Sequence, residues 1–404
     1  MAPPGCVILG FVIRGLAGLW AGPLVLVGTM AHPQARSSPP PRGNESSSFE
    51  DATRRAAASR EAGRLEEATS LYREALRLRP GWKEGWWYAG TIAYDRDRFA
   101  ECRDAFLRLV DLDPGAGPPH AFLGLCEFGL GAFSESRRHL EKALSLGPLR
   151  DESMTNVVLY HHALLLIRDG QFEVALAPLT RLLQRQTETP ELVDACGLLL
   201  LRRSSLPSEV AATDRDLVRA AGRAYCAHLA RRGGEARRLF EEALETYPGE
   251  RHLHYGFGLS LAQQGSAEAM EQFRREIERH PDHVLAHVEL AFNLVTRGEA
   301  AEARRVAEEA VRLAPGLFAS HLALGRALVE TGDVSLGIFE LESAARLAPD
   351  IPEIPLALAR AYARAGRSDE AQAASARFQA LDAARREPEG VPTSSSRAPE
   401  RRSP

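Results

Sequence analysis

Eight prolines, Pro80, Pro114, Pro148, Pro190, Pro248, Pro281, Pro315 and Pro349, divide most of the chain at steps of 34, 34, 42, 58, 33, 34 and 34 residues. The stretch Val284 to Leu317 shows what each step contains. Leu285, Val288, Leu290, Ala291 and Leu294 return to one face at helical spacing, Gly298 supplies a turn, and Ala303, Val306, Ala307, Ala310, Val311 and Leu313 repeat the pattern until Pro315 stops it. That is a helical hairpin. Two helices of about a dozen residues each cannot bury their own apolar faces, so a chain punctuated this way folds only by stacking hairpin on hairpin.

A period of 34 residues with these contents resembles the tetratricopeptide repeat (TPR) family. Trp86, Leu123-Gly124, Gly258, Leu290-Ala291 and Leu324-Gly325 resemble the family signature of the first helix. In the second helix, Ala68/Tyr72/Ala75, Ala236/Phe240/Ala243 and Ala269/Phe273 resemble its small–aromatic–small spacing, where alanine lets the helices approach and the ring fills the gap between hairpins. The resemblance implies an all-α, right-handed superhelical solenoid of antiparallel hairpins, about nine repeats in two blocks. It also implies a concave face, lined by first helices, on which partner peptides or proteins bind.

The expected organisation follows from the punctuation. Residues 1–31 hold Arg14 as their one charged side chain, an apolar run and Thr29-Met30-Ala31, which reads as a cleaved secretory signal peptide or as an uncleaved N-terminal anchor. Either would place the repeats across a membrane, periplasmic, secreted or tethered. A Pro/Ser-rich linker without apolar periodicity, expected to be disordered, follows over 32–48. Four repeats occupy 49–190, and five, including a C-terminal cap, occupy 217–386. Between them, 191–216 is read as a buried extra helix followed by an exposed polar loop, and 387–404 as a disordered tail.

Composition and motifs exclude several functions. The chain has 50 basic and 54 acidic side chains, a net charge of −4, with both signs interleaved and no basic stripe of the kind nucleic acid requires. No zinc-protease pair, phosphate loop, dinucleotide fingerprint or nucleophile elbow occurs, so no catalytic residue and no cofactor is assigned and the chain is read as non-catalytic. His280, His283 and His287 cluster with His252 and His254 nearby, but no third ligand is specified and no metal is assigned. His287, like His120 and His321, takes the place of the family's half-buried tryptophan. Of the cysteines beyond the leader, Cys102 and Cys126 are the one couple in adjacent hairpins, yet Cys102, Cys126, Cys196 and Cys226 are read as four reduced core thiols.

What remains is the groove. Projecting the family's concave offsets gives Trp87, Thr91, Tyr94, Ala121, Leu125 and Phe128 in the first block. In the second it gives Tyr225, Tyr255, Leu259, Val288, Phe292 and Val295, then Leu322, Arg326, Val329, Leu356 and Arg360. Aromatic and aliphatic side chains there would form an apolar patch that a partner covers, with the two arginines contacting carboxylates. The lysines and asparagines of the family's chaperone-tail clamp are missing, since Thr53, Trp87, Ala121, Ala57, Thr91 and Leu125 hold those positions. The expected function is a protein-binding scaffold; a membrane-tethered assembly factor and a non-catalytic subunit of an exported enzyme complex are the alternatives.

Overall fold

The computed structural model describes residues 43–386, apart from 148, 150, 186 and 187. Among the described residues there are nineteen α-helices and no strand. They fall into two compact units, Met1–Gln186 with Ser204–Val210, and Thr187–Arg203 with Ala211–Pro404. The leader and tail readings, 1–31 and 387–404, lie outside the described residues.

The first unit is four hairpins: α1 (Gly43–Glu61) with α2 (Leu65–Leu78), α3 (Lys83–Asp95) with α4 (Phe99–Leu112), α5 (Gly117–Gly129) with α6 (Phe133–Ser145), and α7 (Glu152–Arg168) with α8 (Phe172–Arg185). The second opens with an unpaired α9 (Pro190–Leu200) laid against α10 (Arg215–Leu229), which forms its own hairpin with α11 (Gly233–Thr246). Four more hairpins follow: α12 (Leu253–Gln263) with α13 (Glu268–Arg279), α14 (Val284–Thr296) with α15 (Ala300–Leu313), α16 (Phe318–Thr331) with α17 (Val334–Leu347), and α18 (Glu353–Arg364) with α19 (Ser368–Arg386).

The predicted punctuation has a physical basis in the backbone. Gly298 turns the α14–α15 hairpin at φ +80°, a conformation that costs a residue with a Cβ about 1 kcal/mol, and Asp97 and Arg231 accept the same left-handed geometry where glycine is absent. At the small–aromatic–small positions Ala68, Tyr72, Ala75, Ala236, Phe240, Ala269 and Phe273 are all buried, so the alanines do set the approach of paired helices.

A second recurring contact explains the Trp/His position. Trp86 Nε1–H donates to the carbonyl of Pro80 at 2.8 Å, and the Nε2–H groups of His120, His287 and His321 donate to Pro114, Pro281 and Pro315 at 3.2, 2.9 and 2.9 Å. In each of these four repeats a ring N–H six residues after the proline satisfies the carbonyl exposed where the preceding helix ends. His287→Phe, which keeps the ring and loses the donor, should therefore cost about 1 kcal/mol in the second unit, read from its denaturant midpoint. A neutral result would reduce the contact to coincidence.

Three expectations are corrected. The first helix starts at Gly43, so residues 43–48 are helix rather than linker. The cause is Phe49: its ring packs edge-on against Trp82 at 5.3 Å under the guanidinium of Arg79, which also bonds Ser46, and these contacts hold the first turns in place. The loop after α9 is not uniformly exposed, since Leu206 and Val210 are buried around two short 3-10 turns, Pro207–Glu209 and Ala212–Asp214. Finally, Cys102 and Cys126 are joined as a disulfide between α4 and α5, their Cα atoms 6.0 Å apart and within ordinary bridging reach. The small-residue position that brings helices close also brings these two sulfurs together; Cys196 and Cys226 stay as buried thiols.

Candidate protein-binding cleft

The first helices of the last three repeats, α14, α16 and α18, leave a cleft of about 150 Å³ between them. Val295 from α14, Leu322 and Val329 from α16, and Leu356 and Ala357 from α18 make aliphatic walls, and Leu341 from α17 lies beneath. Helical spacing puts Leu322 and Arg326 one turn apart on α16, and Leu356 and Arg360 one turn apart on α18, so each wall ends in a guanidinium.

The charges in this cleft are not balanced. Glu330 at the rim is taken by Arg364 at 2.8 Å, and Glu353 by Arg385 at 3.2 Å. Arg364 also donates to the Val329 carbonyl at 2.8 Å. Among the described residues Arg326 and Arg360 have no carboxylate within ion-pair distance. The Arg326 guanidinium instead lies 5.2 Å from the Phe292 ring centroid, a cation–π contact. Burial and the like charge of Arg360 push the Arg326 pKa down, against a smaller opposing pull from Glu330. A half-buried cation facing a second cation lacks an anion.

The other groove positions are differently placed. In the first unit Thr91, Ala121 and Leu125 are buried. Trp87 packs edge-on against Phe106 and Phe122, Tyr94 against Phe99 and Phe122, and Phe128 against Phe133 and His161. These aromatics close the packing between their own repeats. In the second unit Tyr225 and Val288 are buried, Tyr255 packs on Phe273 and His283, Leu259 is half-buried, and Phe292 sits between two parts of the core under Arg326. Of the projected groove residues, Val295, Leu322, Arg326, Val329, Leu356 and Arg360 share the open cleft.

The histidine cluster has an organisation the sequence did not specify. His252, in a left-handed conformation at φ +75°, and His283 meet across repeats, Nδ1 to Nε2 at 2.7 Å, beside the fully buried Glu276. Glu276 accepts the backbone N–H groups of His252 at 2.8 Å and Tyr255 at 3.1 Å, capping α12. His283 Nδ1 accepts the N–H of Ala286 at 3.1 Å, capping α14, so its proton resides on Nε2 and is donated to His252. Ligating a metal through Nε2 would turn an Nδ1–H against the Ala286 N–H and break that cap. The trio is therefore built as a hydrogen-bonded latch between repeats. His280 and His287 do not join it, and Glu276, the residue that completes it, carried no motif.

The tetratricopeptide repeat family model matches residues 53–117, 261–318 and 288–352. Over those residues the chain carries tetratricopeptide repeats. Two of the matched segments cover α14 to α17, so much of the cleft is made of TPR helices in the family's register. The human protein O-mannosyl-transferase TMTC3 is 26% identical over 135 residues, 33% of this chain and 14% of its own length. The present chain thus spans about a seventh of that relative. Among solved structures, MamA 41-end from Desulfovibrio magneticus RS-1 is 21% identical, covering 38% of this chain and 88% of that one with a TM-score of 0.35. A second MamA crystal structure is 16% identical, covering 40% and 95% with a TM-score of 0.36.

Proposed function

We propose that this TPR protein is a non-catalytic scaffold that holds a partner protein in the cleft between α14, α16 and α18. The observation that carries the reading is an open, largely aliphatic cleft ending in two guanidiniums that, among the described residues, have no carboxylate within ion-pair distance, in a chain whose other groove aromatics are engaged in its own packing. Aliphatic walls favour exclusion of water from a partner side chain, and the fixed cations give orientation. The proposal includes export of the repeats by residues 1–31, supported by their sequence alone. A tethered assembly factor differs only in retaining those residues.

Crosslinking and recovery with a C-terminally tagged full chain tests the scaffold. Leu356→Glu, in a half-buried cleft wall, should reduce recovery of the specific partner about tenfold or more while changing the melting transition little. A partner recovered equally by the variant would sink the cleft as the binding site. A mature N-terminus at His32 is the result expected for export with cleavage, and an intact leader in the membrane fraction the result for tethering.

A further inference from the structure

We infer that Cys196 and Cys226, reduced in the structure, are a second disulfide site, so that oxidative folding ties α9 to α10 as Cys102–Cys126 ties α4 to α5. The two helices touch through their backbones: a Cβ on Gly197 would lie 2.0 Å from the Val218 carbonyl oxygen, and one on Gly222 would lie 2.0 Å from that of Val193. Cys196 adjoins the first contact, and Cys226 lies one turn beyond the second. Bridged Cα atoms stand about 4.4–6.8 Å apart, a separation that paired helices reach only where small residues let them close in. The Cys226 thiol donates to the carbonyl of Leu192, one turn before Cys196, at 3.9 Å. Helical side chains lean back toward the N-terminus, which sends the Cys196 sulfur to the same spot. There the two thiols hydrogen-bond each other, and both side chains are fully buried.

The first unit supplies an independent argument. Cys126 and Cys226 hold the same register in their helices: the carbonyl of each accepts the N–H four residues on, from Leu130 at 3.1 Å and from Ala230 at 2.9 Å, where the helix ends. Each sulfur faces a cysteine on the preceding helix, and Cys126 is already joined to its own. Closing the second bond requires an acceptor of two electrons, a small-molecule or protein disulfide. One cysteine thiolate attacks that disulfide, giving a mixed disulfide and one carrier thiolate. The other cysteine thiolate then displaces the remaining carrier sulfur, and the two cysteine protons end on the two carrier thiols. Burial and the adjoining Cys226 hold the Cys196 pKa well above its ordinary value, so the folded chain offers neither an accessible sulfur nor a thiolate. The bond is therefore made while α9 docks on α10 and is shielded afterwards. None of this depends on the cleft or on what it binds.

The test is to refold the reduced, unfolded full chain with glutathione disulfide, alkylate it in denaturant and map its peptides by mass without reductant. A peptide crosslinked through Cys196 and Cys226 is expected beside the Cys102–Cys126 one. The same oxidant added to the chain already folded in reductant should close the Cys196–Cys226 bond at least about tenfold more slowly. Cys102→Ala with Cys126→Ala isolates the second bond: the denaturant midpoint of that chain should rise on oxidation, and adding Cys196→Ala should abolish the rise. Comparing oxidised and reduced forms of one chain cancels the packing lost to the alanines. Recovery of Cys196 and Cys226 as alkylated thiols after oxidative refolding, or linkage of either to Cys6 or to a cysteine of the first unit, overturns the inference. That map is made on the unaltered sequence, so it decides even where the alanine chains fail to fold.

Discussion

Gly197→Ala is expected to destabilise the second unit by about 3 kcal/mol, although alanine is the better helix former by about 1 kcal/mol. A Cβ on Gly197 would lie 2.0 Å from the carbonyl oxygen of Val218 and 2.9 Å from its carbon, and one on Gly222 would lie 2.0 Å from the carbonyl oxygen of Val193. These obstacles are backbone, so no rotamer change relieves them. The two helices, α9 and α10, would have to separate, opening the packing of Leu192, Cys196 and Cys226, which are buried at their crossing. Gly222→Ala should behave alike. Gly234→Ala is the control: nothing lies within 4 Å of its Cβ, and the change should be neutral or stabilising by up to about 1 kcal/mol. Denaturant midpoints of the three variants decide the matter; if Gly197→Ala and Gly222→Ala match the control, the helices do not meet there.

That crossing marks the boundary of what the sequence discloses. Proline spacing, left-handed turns such as Gly298 and buried alanines such as Ala303 are local consequences of stacking short hairpins, and each copy repeats the signal. The α9–α10 contact occurs once, between residues 21 and 29 positions apart, and a glycine in a helix reads only as a weak point until its neighbour is known. The same holds for Cys102 with Cys126 and for Glu276 with His252 and His283, pairings set by how repeats abut. For the cleft, helical offsets located Leu322, Arg326 and Arg360 correctly on first helices. They could not reveal that Trp87 and Tyr94 would be occupied by Phe122 or that Glu330 would turn to Arg364, which depend on side chains one repeat away, nor that Glu353 would turn to Arg385 on the paired helix of its own hairpin.

Acid should unfold this protein well before its carboxylates are neutralised. Burial pushes the pKa of His161, His228 and His283 down to about 4 and that of His252 to about 3, with Arg251, Arg202 and His280 adding like charge around the latter two. In the unfolded chain the same rings titrate near 6.5, so between about pH 6.5 and 4 the unfolded state binds the extra protons and stability falls as pH falls. From pH 7.5 to 5 each buried histidine removes about 2 kcal/mol. Glu289 acts in the opposite direction: burial raises its pKa to about 7, so the cost of its charge, present at pH 7.5, is relieved on the way down and returns about 2 kcal/mol. Three of the four histidines share the second unit with Glu289, so the histidines win and that unit should lose about 4 kcal/mol. Thermal melts by circular dichroism at pH 7.5, 6 and 5 should show a steep decline, and Glu289→Gln should raise stability at pH 7.5 while steepening the loss, because it removes a term that resists acid. A melting temperature that holds constant across this range would mean that the histidines carry protons in the folded state, and the neutral His283–His252 latch would have to be abandoned.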